Sequence, residues 1–553
     1  MFNNNKILVV IPAKGTSKRI PRKYVRLLNN KPLIYYSIDI AKSSQYVDDV
    51  VVTTDDFEIS SISEKLGSSV IRRSVELSGD DVPLEAVVYD SMIQKEKLTF
   101  DEYDIVITMM PTSPLLKTET LDLAIEKFED FNVESVVSVV EDKQLSWGYD
   151  ENNKRYFPNY IERLSDEELP LSFRETGAVI ASRRGLINES SIIGNHVDII
   201  NLSHEESVTV DDYDDWWVVE KYLQKKKVAI VVNDNDEIGN RHVNNCLSIA
   251  SKLVDHEFLF ILNEDESGQD LLTKSGFNFK VYDGDDELMG ILDEFDPHIV
   301  INDILNTSVE YMSKLKSRGY FVVNFDDLGD GAEFADVVFD SLYEHDLSAN
   351  NVYSGQKFYV LNDEFYFQPQ KVITQDVNNV LIMFEGKDSK HLAETFTDLI
   401  LSTNYENRIN GIVDRGYENI DQLISKYEFN PSVQIYQNVS NVSDFIFKAD
   451  ILITSACKTM YDACSLGIPT ICVCQDDLET THVFANNSNG IINMGHIESL
   501  TKQDFINQFL ELVEHSDLRI EMNKKMTSID LKHGFENINA VIQEEYRNFV
   551  MKN

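Results

Sequence analysis

Cysteine is scarce in this chain, and long apolar runs are missing. Its five cysteines, Cys246, Cys457, Cys464, Cys472 and Cys474, all lie in the second half and none has CxxC spacing. That excludes a zinc-type pattern and suits a reducing cytoplasm better than a disulfide framework. No stretch approaches the ~20 apolar residues of a membrane-spanning helix, and the run at residues 7 to 12 is too short for a signal-peptide core. Positive charge is the other deficit: 50 Lys and Arg face 94 Asp and Glu, a net charge of −44. Such a surface repels nucleic acid and anionic membrane. The expectation is a soluble cytoplasmic protein with no nucleic-acid partner and no membrane insertion.

What is present is enough apolar residue for several cores, since 553 residues exceed what one core usually serves. Short β-branched runs alternate with helical patterns from the start, the signature of a mostly parallel sheet covered by helices. KILVVIP, DDVVVTT, SSVIRR, YDIVITMM and ESVVSVV read as strands; PLIYYSIDIAKSS, FEISSISEKLG and TETLDLAIEKFEDF read as helices. A fresh series begins at VAIVVND, which places a domain boundary near residue 226. The second half divides again, with VAIVV, HEFLFIL, FKVYD, HIVIND and FVVNFDD in one lobe and NVLIMFEG, RINGIV, VQIYQN, ADILITS and TICVC in another. The predicted division is 1–226, 227–375 and 376–553, an α/β protein throughout. In such sheets ligands sit beyond the carboxyl ends of the strands, so the loops after strands are where chemistry belongs.

The first such loop gathers Lys14, Lys18, Arg19, Arg22 and Lys23 among the small residues Ala13, Gly15, Thr16 and Ser17. Small residues let backbone amides approach a ligand and the cations neutralise it, a combination suited to polyphosphate. The pattern is not the GxxxxGK[ST] loop, because the second glycine is absent. A solvated turn bearing ordinary surface lysines is the plainer alternative.

IPAKGTSKRIPRK resembles the IPARxGSKxxPxKN signature of the CMP-sialic acid synthetase, or acylneuraminate cytidylyltransferase, family. VVTTDDFEISSISEKLG, IRRSVELSGDD, MMPTSPLLK, FRETGAVIA and SVTVDDYDDW resemble further segments of that family, in order, up to residue 216. The resemblance implies a Rossmann-like nucleotidyltransferase (GT-A-like) domain. It implies that the anomeric hydroxyl of a nonulosonic acid attacks the α-phosphate of CTP, releasing pyrophosphate, with Mg²⁺ or Mn²⁺ as cofactor. It places Lys14, Gly15, Ser17, Lys18, Arg19 and Lys23 on the triphosphate, with Lys18 catalytic and Arg73 a further clamp. Arg174, with Thr176 and Gly177, would face the sugar, where a planar guanidinium suits a carboxylate; a structural ion pair is the alternative for Arg174. Asp211 is the expected metal ligand, with Asp212 in support, although an acidic run also suits a helix start. The departures are Tyr24 for asparagine, Met110 for glutamine, Leu116 for arginine and Thr209 for the first aspartate of the metal motif. They leave the identity of the acid open. Family members commonly dimerise, so a homodimer is an expected partner.

In the second half, IGNRHVNNCLSIASKL resembles the IGxGHVxRCLxLAxxL segment of the family that hydrolyses UDP-linked diacetamido-trideoxyhexoses, a family related to spore-coat polysaccharide proteins and GT-B glycosyltransferases. VVNFDDLGDGAEFADVV, IMFEGKDSKHL and ADILITSACKTMYDACSLGIPTICV match later segments. The resemblance implies a two-lobed GT-B-like region with His242 as the base that activates water, and a UDP-linked amino sugar as ligand. Gly386, Asp388, Ser455, Thr459, Asp462 and His482 are the residues it assigns to the nucleotide sugar. Glu385, Arg241, Cys457 and Lys458 depart from the pattern. Hydrolysis, sugar transfer and binding alone all stay open for this half. The leading reading is a bifunctional enzyme joining a cytidylyltransferase to a nucleotide-sugar domain.

Overall fold

The computed structural model describes residues 2–79, 81–165, 167–233, 241–263, 266–304, 306–342, 351–384, 386–414, 416–437, 439 and 441–552. The chain divides into two compact units, residues 1–225 and 226–553. The first is built on a seven-stranded sheet in the order Val197–Asn201, Ser135–Glu141, Phe173–Arg183, Ile105–Met109, Ile7–Pro12, Asp49–Thr54, Ser69–Arg72. Neighbours are parallel except Phe173–Arg183, which runs antiparallel to both of its partners. Helices cover the sheet, so central strands are continuous apolar runs; Ile7–Pro12 is buried at every position. The helices Leu33–Ser43, Phe57–Lys65 and Thr118–Glu126 fall within the three segments expected to form them.

Pattern reading does not anticipate the reversed strand Phe173–Arg183 or the hairpin of Trp147–Asp150 and Arg155–Pro158. Phe173–Arg183 is exposed in its first residues and buried in its last, so neither periodicity runs its length. Its reversal matters for position. Parallel strands bring the carboxyl ends of Ile7–Pro12, Asp49–Thr54, Ser69–Arg72 and Ile105–Met109 to one edge, and the reversed strand adds its amino-terminal residues there, with Val179 opposite Met109 and Arg174 opposite Val140.

The second unit carries two wholly parallel sheets. One runs Phe279–Val281, Glu257–Leu262, Lys227–Val232, Ile299–Asp303, Phe321–Phe325, Val337–Asp340, Val352–Ser354. The other runs Val433–Gln437, Arg408–Val413, Asn379–Met383, Ile451–Thr454, Thr470–Cys474, Ile491–His496. The predicted lobe division at residue 375 needs one correction. The last helix, Gly534–Lys552, returns to the first sheet, where Phe535, Ile538 and Ile542 join the core and Tyr546 and Phe549 pack edge-on against Phe321. The helix starts in close contact, since a Cβ on Gly534 would lie 1.7 Å from the Tyr359 carbonyl oxygen. Two lobes with a returning C-terminal helix make the GT-B-like arrangement expected for this half. Among the described residues no helix is long and apolar enough to cross a membrane.

Arg519 ties the segment between the lobes to the second lobe. It is 1% exposed, and its guanidinium donates to the carbonyls of Leu512, Val513, Thr374 and Gln375. Removing a charged donor leaves these acceptors buried and unsatisfied. Arg519→Met is expected to destabilise the second unit by about 3 kcal/mol or more, read as a fall in its denaturant midpoint while the first unit's transition stays in place.

Candidate functional site

The basic loop of the first unit is held from both sides. Gly15 donates its amide to Asp55 at 2.7 Å, and a Cβ there would meet the Asp56 side chain at 2.8 Å, so a larger residue would push the loop off its support. Arg22 pairs with Glu58, and Ser17 accepts from the Ile20 amide at 3.3 Å. Beneath the loop, Ile20 packs with Leu115, Val210 and Trp216 in a small core that Tyr24 borders. Each fully buried side chain of this kind is worth roughly 1.5–3 kcal/mol. This core brings three distant segments together, and the Val210 amide donates to the Thr112 carbonyl at 2.8 Å.

The consequence is an ion pair between chain ends of the unit: Lys23 Nζ lies 3.6 Å from Asp211 Oδ1, with the lysine side chain 8% exposed and the aspartate 57%. Burial lowers the pKa of Lys23, and Asp211 opposes that shift. Arg73 is half-buried on the neighbouring strand end, donating to the Thr53 carbonyl at 2.9 Å and to its hydroxyl at 3.3 Å. Tyr24 feels both Arg73 and Asp211, and burial raises its hydroxyl. Lys14 is half-buried at the loop start, while Lys18 and Arg19 are exposed. Asp212 serves elsewhere. It is the N-cap of the helix Tyr213–Gln224, its Oδ1 accepting from Asp214 and Asp215 in a capping box, and Asp215 in turn takes the amides of Asp211 and Asp212. At the reversed strand, Arg174 pairs with Asp142 at 3.2 Å on the rim. Thr176 bonds the Ser138 hydroxyl at 2.8 Å, and Gly177 has φ +71° where the strand register shifts.

In the second unit, His242 sits on the first turn of the helix Arg241–Lys252 and is 2% exposed. Its Nδ1 donates to Asp303 Oδ1, and the other Asp303 oxygen accepts from Asn245 at 3.1 Å and from the Cys246 thiol at 3.6 Å. Burial alone would raise the Asp303 pKa. The His242 imidazole, with Lys458 and Asn245, reverses that and holds the carboxyl well below the usual range. From the facing lobe, the loop after Ile451–Thr454 presents buried Ser455 and Thr459, and His482 Nδ1 reaches the Ala456 carbonyl of that loop. Asp462 accepts from the Tyr359 hydroxyl of the first lobe at 2.8 Å. Gly386 and Asp388 lie after the adjacent strand but are engaged locally: Gly386 donates to Asp414 at 2.8 Å, and both Asp388 oxygens accept amides of the helix Leu392–Leu401 at 2.7 and 2.9 Å. Asp388 is therefore a helix cap. Residues 238–240 and Glu385 lie outside the described residues, as does the side chain of Arg241.

A family model for cytidylyltransferase matches residues 8–194. The CMP-N,N'-diacetyllegionaminic acid synthase of Legionella pneumophila is 31% identical over 233 residues, 41% of this chain and 100% of that protein. The chain belongs to the cytidylyltransferase family. The pseudaminic acid cytidylyltransferase of Campylobacter jejuni is similar too, at 31% identity over 218 residues, 38% of this chain and 93% of that protein. An uncharacterised protein of Methanocaldococcus jannaschii is 24% identical over 318 residues, and the chain spans 64% of its length. Among solved structures, MurG of Acinetobacter baumannii aligns with a TM-score of 0.45 at 14% identity, covering 58% of this chain and 99% of that one.

Sequence reading of the first unit's candidate site misses the residues that hold the basic loop in place. Asp55, Asp56 and Glu58 support the basic loop; they lie in the family-like segment VVTTDDFEISSISEKLG, but the sequence assigns them no contact with the loop. Asp303, Asn245 and Asp326 are missed in the second unit; a carboxylate closing an apolar strand, as in HIVIND, is the signal that marks Asp303.

Burial pushes the Asp388 carboxyl up to about 6, against its two amide hydrogen bonds. The folded value lies above the ordinary 3.8, so the folded state binds this proton more tightly. The stability it contributes is full below about pH 4 and is lost as pH rises through about 6, a component of about 3 kcal/mol. The second unit's denaturant midpoint should carry that fall, and Asp388→Asn should flatten it; an unchanged slope in the variant would remove the assignment.

Proposed function

We propose that the first unit activates a nonulosonic acid with CTP, giving a CMP-sugar and pyrophosphate. The observation that carries this is the pairing of Lys23 with Asp211 beside the basic loop, at the strand edge of a unit that belongs to the cytidylyltransferase family. A nucleophile bearing a carboxylate has to approach a triphosphate, so the site needs fixed positive charge. Lys14, Lys18, Arg19 and Lys23 supply it, with Arg73 as a further clamp, while Gly15, its amide held by Asp55, and Ser17 keep the loop small enough to approach the phosphates. Lys18 neutralises charge that builds as pyrophosphate leaves. Arg174, at the rim with Thr176 and Gly177, faces the sugar carboxylate and exchanges Asp142 for it.

Among the described residues no group of three or more His, Cys, Asp or Glu side chains is arranged to hold a metal ion. A magnesium ion held by one carboxylate, substrate phosphates and waters still fits, and Asp211, exposed and uncommitted to the helix cap, is that carboxylate. Such an ion would screen the phosphates and stabilise the in-line displacement. Tyr24 and Met110 replace polar groups of the family pattern and bear on which acid and base are selected, Thr209 leaves Asp211 as the carboxylate of the metal motif, and Leu116 is buried in the core. The two relatives quoted are named for legionaminic and pseudaminic acid derivatives, which makes acids of that class the first substrates to try.

For the second unit we infer a nucleotide-sugar hydrolase-like cleft. Asp303 accepts from His242 Nδ1 and so leaves the Nε2 lone pair available to take a proton from water. The ligand class is a UDP-linked amino sugar.

Incubating the chain with CTP, Mg²⁺ and a panel of nonulosonic acids should release pyrophosphate with one of them; none released with any would sink the leading reading. Lys18→Ala and Asp211→Ala are each expected to lower CMP-sugar formation by about 10²-fold or more, while UDP release from UDP-linked amino sugars persists. His242→Ala should show the converse, loss of UDP release with CMP-sugar formation intact. UDP release that requires an added acceptor would make the second unit a transferase.

A further inference from the structure

Lys458 stands at the N-cap of the helix Thr459–Leu466 and is 7% exposed. A cation there is disfavoured twice, because burial strips its hydration and the helix amino terminus already carries partial positive charge. Its Nζ lies 3.1 Å from Asp326 Oδ2 of the facing lobe, itself 4% exposed. The two line a cavity of ≈ 10 Å³ together with Asn245, Ser341 and Tyr359. Asn245 also donates to Asp303, which orients His242. The His242 Nε2 atom is buried without a hydrogen-bond partner among the described residues. A lysine and a helix amino terminus converging on a buried polar cavity make an anion site, and here the chain supplies the anion itself.

We propose that Lys458 receives the diphosphate of a nucleotide sugar, and that the Asp326 carboxylate is its stand-in, displaced when the diphosphate enters. The proposal rests on reading the second unit as a nucleotide-sugar cleft and adds which cation binds and what keeps the cleft shut. A cavity of ≈ 10 Å³ admits no nucleotide, so entry has to part the lobes at this pair. A diphosphate carries more charge than one carboxylate and also reaches the amides of the helix start, which lets it compete for the lysine. The departure of Lys458 from its relatives' pattern then has a purpose: the charge that would be costly in an ordinary helix cap is matched in both the closed and the occupied state.

The test is calorimetric titration of the full chain with UDP as the probe, for wild type, Lys458→Met and Asp326→Asn. Asp326 has φ 49°, a left-handed conformation that asparagine tolerates, and an amide oxygen still accepts from the Ser341 amide. Lys458→Met is expected to weaken UDP binding about tenfold or more through loss of a charged partner. Asp326→Asn is expected to tighten it about threefold or more, because the closed state loses its competing anion. Equal affinity in wild type and Lys458→Met would overturn the assignment while leaving the nucleotide-sugar reading intact. Weakening by Asp326→Asn to the level of Lys458→Met would overturn the exchange and make the pair a structural latch. No UDP binding by wild type would remove the reading of the second unit itself. Thermal unfolding of each variant separates affinity from folding, and Lys458→Gln replaces the methionine variant if that one does not fold.

Discussion

A cation taken out of water has to be matched by an anion, and at both candidate sites the match comes from a distant part of the chain. Lys23 meets Asp211 across nearly the whole first unit, and Lys458 meets Asp326 across the two lobes of the second. Neither pair forms by local folding. The first requires its sheet to be assembled, because only the finished strand order brings its loops to one edge; the second requires two sheets, with the loops after Phe321–Phe325 and Ile451–Thr454 meeting between the lobes. The small core of Ile20, Leu115, Val210 and Trp216 is what fixes the first pair, so the charges depend on apolar packing beneath them. The dependence also runs the other way: a buried lysine without its aspartate would strain the packing that brings it there.

The same constraint sorts carboxylates that look alike in sequence. Asp211, Asp212, Asp214 and Asp215 form one acidic run, but the helix Tyr213–Gln224 needs partners for its first amides and takes Asp212 and Asp215. Asp211 is left outside the cap, exposed, and turned toward Lys23. Asp388 repeats the pattern in the second unit, where the helix Leu392–Leu401 claims both of its oxygens. Which carboxylate is left to face a distant cation is thus partly defined by what backbone amides do not require of it.

Much of the architecture is legible in the residues. Runs such as ILVVIP and VAIVV have the length and β-branching of strands buried on both faces, and the amphipathic segments between them form the covering helices. The reversed strand Phe173–Arg183 is not legible, because it passes from solvent into the core and shows no single period. Nor is the return of the helix Gly534–Lys552 to the first lobe, since an apolar stripe records that a helix is covered but not by what.

The sequence by itself determined the α/β class, the two-part organisation, the basic loop after the first strand and the family of the first unit, because each is written in local order: periodicity, motif spacing and residue type. Only the tertiary structure decided that Lys23 faces Asp211, that Asp212 and Asp388 cap helices, and that Asp303 orients His242. It alone shows that Lys458 is neutralised by Asp326. The physical reason is that these are contacts between residues far apart in the chain, set by strand order and by the cost of leaving buried charge or backbone unpaired, and no short stretch of sequence contains either.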